Sequence, residues 1–479
     1  MIGTIFVVII ITTLLLFTLF RDKKSLPGPW NLPIIGYLHK LDPTAPYLTL
    51  TELVDKYGPV YTIKLGLINV VAKADAKIVK KVLAKDETLT RPPLYMLNTI
   101  FENKGFAFAA LDLWRDQRKF VANFLKTVGA VRVSPNRKAC EASIREYAEE
   151  FVQAVESQNH SVLLDPSEFV TLYVNNVAGS LILGKQLLLD KKTAADLTES
   201  LDKVAESIAF GGPLNFLPFL SFLPKFRKSI NELKEAMNRV RKIERKVIDE
   251  CQTSFSEDTP SSAVEAFLSQ MSKGAPRHIY NLDQLHYLLF DLFLASTESI
   301  ITTLRWTLLY LAQYQDVQNK IRQELLEMEM EDFANLHYTK AAIAEVSRIR
   351  TLAPLGIPHY AAKNISVENF NIPKGAMIMP LLWAIHMDPK VHKDPDEFRP
   401  ERFLDSDGNF FKPESFLPFQ TGKRMCVGED LAHMMLQIFV VNVLKNFEIG
   451  RPEGCSLDFT GVCGASLTPK PQKIIFKKI

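Results

Sequence analysis

The run Phe419 to Gly428, FQTGKRMCVG, places one cysteine among two glycines and an arginine, directly before an apolar stretch of helical period, Leu431 to Asn446. A thiolate at Cys426 needs a reason to ionise among apolar neighbours, and the strongest available is a metal that displaces its proton. The cysteine stands alone, which does not suit zinc and its four protein ligands. Iron in a haem takes a single protein ligand on its proximal face, and a thiolate there pushes electron density toward O–O cleavage. Gly422 and Gly428 would let the backbone run close beneath a flat ring. Arg424 could pair with a haem propionate. The helix that follows would turn its first amides toward the sulfur. The bland rival is a structural cysteine buried after a turn.

The five spaced residues Phe419, Gly422, Arg424, Cys426 and Gly428 form F-x-x-G-x-R-x-C-x-G, and in this the chain resembles the cytochrome P-450 superfamily. Further matches occur in the family's order. Trp114 and Arg118, in WRDQRKF, sit four apart and so share a helix face; in the family such a pair meets a haem propionate. Ala295 and Glu298 match A-G-x-D/E-T, with Ser296 and Ser299 replacing its glycine and threonine. A hydroxyl beside a carboxylate can relay protons for O–O cleavage, so Glu298 and Ser299 are the expected catalytic pair. Glu345, Arg348 and Arg402 match the E-x-x-R and P-E-R-F elements, which the family uses to lock the proximal side; one carboxylate and two arginines can satisfy one another only as a complete set. By resemblance, Phe106, Phe108, Ala295, Leu355 and Ile357 would touch substrate and His359 a propionate. The alternatives are ordinary core aromatics and a surface ion pair.

The resemblance implies a mainly α fold with small β-sheets, the cytochrome P-450 fold, binding haem b and drawing electrons from NADPH through an NADPH-cytochrome reductase. It implies insertion of one atom of O2 into a lipophilic substrate. PLGIPH and GKRMCVGEDLA are most similar to the microsomal clan that holds vertebrate drug-metabolising enzymes and arthropod steroid hydroxylases. WRDQRKF and PLLWAIHMDP are similar to arthropod ecdysteroid-precursor hydroxylases, the 25-hydroxylase in particular, so a steroid is the first expected substrate. A general xenobiotic or fatty-acid monooxygenase remains open. So do a thiolate-haem isomerase or dehydratase working without a reductase, motivated by Ser296 and Ser299, and a non-enzymatic haem carrier or gas sensor.

Residues 2 to 20 are uncharged and apolar, long enough for one bilayer crossing, and Arg21, Lys23 and Lys24 follow. This predicts a signal-anchor helix over 1–20, a basic and proline-rich hinge over 21–36, and a haem-thiolate catalytic domain over 37–479. The domain would be cytosolic, on the endoplasmic reticulum membrane in a single pass. The proline-broken run GGPLNFLPFLSFLP, between Phe210 and Phe226, predicts a second membrane contact.

At 479 residues and 47% hydrophobic, the chain can bury one very large core or two lobes. A net charge of +3 is too mild for nucleic-acid binding. Arg115, Lys119, Arg132, Arg137, Lys138 and Lys423 would form a basic docking face for an acidic electron donor, or merely a solvated surface. Five cysteines, an odd number, give no disulfide framework. Patterning predicts helices over Tyr47–Tyr57, Asp75–Leu83, Arg145–Glu156, Leu197–Ile208, Lys225–Glu250 and Leu282–Gln313, a β pair of Val60–Lys64 with Asn69–Lys73, and a terminal hairpin over Thr460–Pro469. Residues 91 to 110 show little period. The stretch Leu325 to His337 is short for the family.

Overall fold

The computed structural model describes residues 26–158, 161–184, 191–208, 212–254, 260–327 and 333–479. The expected anchor over 1–20 lies outside these residues, as do part of the hinge and part of the short 325–337 stretch.

The fold is mainly helical and is built around Leu282–Gln313, a helix of 32 residues with no internal proline. Asn281 caps it, its side chain accepting the N–H of Gln284 at 2.9 Å, which satisfies one of the orphan donors of the first turn. Among the described residues this is the one helix long and apolar enough to cross a membrane. Its packing shows why it is apolar: it runs through the interior, against the helices Pro166–Ile182 and Glu429–Asn446. Its first half, Leu285 to Phe293, packs into one hydrophobic core, and its second half, Ile300 to Ala312, into another. Ala295, Ser296, Glu298 and Ser299 belong to neither, and Ala295 is exposed. The helix leaves one core and enters the next at the stretch expected to carry chemistry.

Short sheets edge this helical body. The expected strand pair forms: Val60–Leu65 pairs antiparallel with Ile68–Lys73, Val60 opposite Lys73 and Lys64 opposite Asn69. Met377–Pro380 then joins in parallel, and His359–Tyr360 completes the sheet. A three-stranded sheet gathers Ser161–Leu164, Ile474–Lys478 and Phe447–Gly450. The terminal hairpin forms as Val462–Cys463 with Leu467–Thr468, and all five cysteines are free.

Two segments carry more order than their sequence pattern shows. The segment 91–110 contains a helix, Tyr95–Phe101, which buries Met96, Leu97, Ile100 and Phe101 and ends where Glu102 turns left-handed. Two turns are too few for a period to emerge from sequence. From Leu26 onward the proline-rich segment lies along the first strand. Pro27 accepts the N–H of Thr62 at 2.7 Å, Asn31 accepts that of Lys64 at 2.9 Å, and a Cβ on Gly28 would sit 1.9 Å from the Thr62 carbonyl oxygen. These prolines align the chain along the first strand.

Candidate active site

Residues 419–428 form a tight loop ahead of the helix Glu429–Asn446. Cys426 donates its N–H to the Phe419 carbonyl at 3.0 Å, and Met425 to that of Gly422 at 3.1 Å. The Phe419 ring packs edge-on against His433 at 5.0 Å, which fixes the loop to the helix. Gly422 has φ +81°, and a Cβ there would lie 2.2 Å from the Leu83 carbonyl oxygen. Its glycine is therefore demanded by the protein behind the loop, not by a ring in front of it. A Cβ at Gly428 would stand 3.9 Å from the Cys426 sulfur, an ordinary contact, so the protein alone does not demand glycine there.

The Cys426 thiol is accessible, yet enough protein surrounds it for burial to raise its pKa; the Gly428 N–H and Arg118 pull the other way and Glu429 adds to the rise. A side chain both accessible and hemmed in faces an interior cleft. Arg118, half-buried, donates to the Met425 carbonyl at 2.9 Å. Arg424 lies over the Trp114 ring at 4.3 Å and donates to the carbonyls of Leu89, Ala107 and Ala109 at 2.8, 3.2 and 3.2 Å. Arg91 donates to the carbonyls of Ala107 and Pro358 at 3.2 and 2.9 Å. Burial and mutual repulsion hold Arg91 down to about 9 and Arg424 to about 8. Three guanidiniums gather here on carbonyl oxygens, a concentration of positive charge that calls for an anion.

The opposite wall is the central helix. Asp291, Ala295 and Ser299 follow at i, i+4 and i+8 and so share one face. Asp291 accepts the N–H of Ala107 at 2.9 Å, and Arg424 donates to the carbonyl of that same residue. The face carrying Ala295 and Ser299 therefore looks toward the cysteine loop. Ser299 donates its hydroxyl to the Ala295 carbonyl at 2.7 Å. Glu298 turns elsewhere: it accepts from Thr302 at 3.3 Å and from Ser466 of the terminal hairpin, and burial raises its pKa. The two residues expected to act as a pair are thus not bonded to each other, because neighbours on a helix point about 100° apart.

Leu355 is buried and Ile357 is 40% exposed, while Phe106 and Phe108 are half-buried, Phe108 stacked obliquely on Phe101 at 4.6 Å. His359 gives its Nδ1 proton to the Thr88 carbonyl at 2.8 Å, and burial, Arg91 and Arg424 push its pKa down to about 3. It is neutral near pH 7 with Nε2 as an acceptor, so a carboxylate would have to bring its own proton to bond there.

Away from the cleft, Glu345 and Arg348 are fully buried and meet through two bonds of 2.7 and 2.8 Å. Arg402 reaches the same carboxylate at 3.2 Å, and Arg348 also donates to the carbonyls of His386 and Pro395 at 2.9 and 2.8 Å. The expected trio closes as a bonded network. Sequence reasoning missed Arg91 and gave no role to Asp291 or Gln284. An acid inside an apolar run was a signal for Asp291; Arg91 gave none, since only the fold brings it to Arg424.

Among the described residues, no three His, Cys, Asp or Glu side chains converge to hold a bare metal ion. A single thiol opposite the Ala295 and Ser299 face of the central helix and beside three arginines fits an iron that carries its other ligands in an anionic ring. The donor set and its charge fit a haem.

A family model described as "Cytochrome P450" matches residues 26–476. The chain is 32% identical to cytochrome P450 306a1 of Drosophila melanogaster, over 95% of this chain and 89% of that protein. It is 33% identical to cytochrome P450 2J3 of Rattus norvegicus, over 92% and 89%, and 30% identical to cytochrome P450 2U1 of Homo sapiens, over 96% and 90%.

Proposed function

The chain belongs to the cytochrome P450 family and is a haem-thiolate monooxygenase; from that premise we propose that Cys426 ligates the iron and that the enzyme hydroxylates a steroid, an ecdysteroid precursor. The haem b of the family, reduced with electrons from NAD(P)H through a reductase, supplies the activation of O2. The single observation that carries the assignment of Cys426 is a free thiol on an interior cleft, beside three clustered arginines, in the middle of F-x-x-G-x-R-x-C-x-G.

The residues divide the work. Burial favours the Cys426 thiol over the free thiolate; as the residue that would hold the iron, it would be ionised by the metal's charge, with the Gly428 N–H and Arg118 supporting the thiolate. Arg91, Arg118 and Arg424 attract the propionates, with Trp114 holding the last two from behind. Ser299 holds a proton on its hydroxyl at the cleft wall, donated at rest to the Ala295 carbonyl, and is the proton donor of the pair; Glu298 accepts hydrogen bonds from Thr302 and Ser466. Ala295, Leu355, Ile357, Phe106 and Phe108 exclude water and bind the lipophile. Glu345, Arg348 and Arg402 keep the cysteine side rigid.

An NADPH-cytochrome reductase docks on the exposed Arg115, Lys119 and Lys138, with Arg132 and Lys423 already paired to Asp430 and Asp86. The protein sits on the endoplasmic reticulum membrane through residues 1–20, its catalytic body in the cytosol. A second contact is made by Phe219 and Phe222, 47% and 70% exposed, while Leu214, Phe216 and Leu217 of the same run are buried. Leu67, 56% exposed, adjoins them through its N–H bond to the Phe216 carbonyl at 3.1 Å. An exposed apolar rim beside the anchored end fits a lipid surface.

The test is a spectral titration of the full haem protein in detergent with sterols, fatty acids and small terpenoids, followed by turnover with NADPH and reductase. A sterol binding at least tenfold tighter than the others and hydroxylated with NADPH is expected. A fatty acid or terpenoid in that place overturns the steroid reading, and product formed without NADPH overturns the reductase.

A further inference from the structure

Asp291 is 3% exposed in the middle of an apolar helix, and none of the roles above uses its carboxylate. One oxygen accepts two successive backbone N–H groups, those of Phe106 at 2.5 Å and Ala107 at 2.9 Å; the other oxygen has no partner. Two turns earlier on the same face, Gln284, also buried, accepts the N–H of Gly105 at 3.1 Å and donates to the Gly105 carbonyl at 2.8 Å. Three consecutive amides of one loop are therefore taken by two side chains of one helix. Gly105 has φ +75°, and a Cβ there would lie 2.3 Å from the Asp291 oxygen, so the loop comes down on the helix only because residue 105 is glycine.

The same loop is gripped from the cysteine side. Arg91 and Arg424 both donate to the Ala107 carbonyl, and Arg424 also to that of Ala109. Asp291 and Arg424 attract each other across it. Residues 105–109 are thus strapped between the two walls of the cleft, N–H groups to one and carbonyls to the other. The strap carries Phe106 and Phe108, which are half-buried against the core, Phe108 on Phe101, so the backbone position of the strap sets where both rings meet the cleft.

We infer that Asp291 and Gln284 are positioning residues that clamp the 105–109 strap across the cleft, and so set which lipophiles Phe106 and Phe108 admit. This rests on the reading of those two rings as substrate contacts. A buried carboxyl group is a costly way to satisfy two amides, and two successive N–H groups bonded to one of its oxygens hold a loop in one place. Gln284 alone would hold only Gly105 from the helix side, leaving the N–H groups of Phe106 and Ala107 without their helix partner.

The experiment uses the full haem-loaded chain in detergent and two haem-binding probes, imidazole and a bulky phenyl-substituted azole, with hydrogen exchange read at residues 105–107. Asp291→Ala should speed exchange at Phe106 and Ala107 by about tenfold and weaken the bulky azole about tenfold, leaving imidazole within twofold. Gln284→Ala should speed exchange at Gly105 and weaken the bulky azole less. Asp291→Asn keeps an acceptor oxygen and should restore most of both losses. Unchanged exchange and unchanged azole binding in Asp291→Ala and Gln284→Ala overturn the clamp. So does an equal loss for both probes, which reports general damage to the haem pocket. The reduced carbon monoxide spectrum keeps the readings apart: its loss in the unaltered protein defeats the haem-thiolate assignment, whereas failure of the clamp leaves that spectrum intact.

Discussion

The two sides of the cleft are held by different means. On the cysteine side, Glu345, Arg348 and Arg402 are bound by side-chain bonds of 2.7 to 3.2 Å, with carbonyls taking further donors of Arg348, and the loop itself closes through Cys426 and Met425. On the helix side, a loop is hung on two side chains, and one carboxyl oxygen each of Asp291 and Glu244 lies buried without a partner. A satisfied network has one arrangement; a partly satisfied one has several of similar energy. The first suits a bond that must not change and the second a wall that must accommodate a guest. It also explains why the cysteine side is full of spaced sequence signals and the opposite side has few.

The sharpest way to break this contrast is at the sulfur. Cys426→Ser should abolish the thiolate-type spectrum of the reduced carbon monoxide complex entirely, and an unchanged spectrum would move the ligand elsewhere. Next in size, Arg348→Ala leaves Glu345 buried without its bidentate partner and should cost roughly 3–5 kcal/mol in urea unfolding, with loss of haem on the same scale. A cost below about 1 kcal/mol would show that the network is not what stiffens that side.

On the helix side, effects should fall on turnover rather than on folding. Ser299 spends its hydrogen bond on its own helix, so Ser299→Ala should barely move stability while lowering product per NADPH by up to about a hundredfold, the low end for a positioned proton donor. Unaltered coupling would mean that protons arrive by another route.

Burial raises Asp291 to about 7, against the pull of its two amides and Arg424, with Glu244 adding to the rise. Glu244, itself raised to about 7, is bonded to His286. An acid raised in the folded state keeps its proton while the unfolded chain loses it, so stability should fall as pH climbs from about 4 to 7 and level off above. Asp291→Asn should flatten that decline in thermal melts, leaving the part due to Glu244. The smallest effect belongs to the outer rim: Phe219→Ser with Phe222→Ser, in a chain lacking residues 1–24, should weaken binding to phosphatidylcholine vesicles roughly tenfold. No change would place those rings outside the bilayer.

Much of the cysteine side was legible because its chemistry is local. Cys426, Arg424 and Gly422 fall within five residues, and Glu345 and Arg348 within one helical turn, so spacing alone carries the geometry. Even there the reason for Gly422 was misread, since the carbonyl it avoids belongs to Leu83, far away in sequence. Glu298 and Ser299 read as a pair because they are adjacent, and the helix separates them for that same reason.

By itself the sequence determined the long apolar helix, the first strand pair, the thiol loop and the family that these identify, all consequences of short-range periodicity and fixed spacing. Tertiary structure alone decided that the central helix passes between two cores at Ala295, that Arg91 joins Arg424, and that Asp291 and Gln284 take the amides of a loop nearly 180 residues distant. Those contacts depend on how hydrophobic faces pack once they have formed, and burial is not local: it is shared among segments that no single stretch of chain contains.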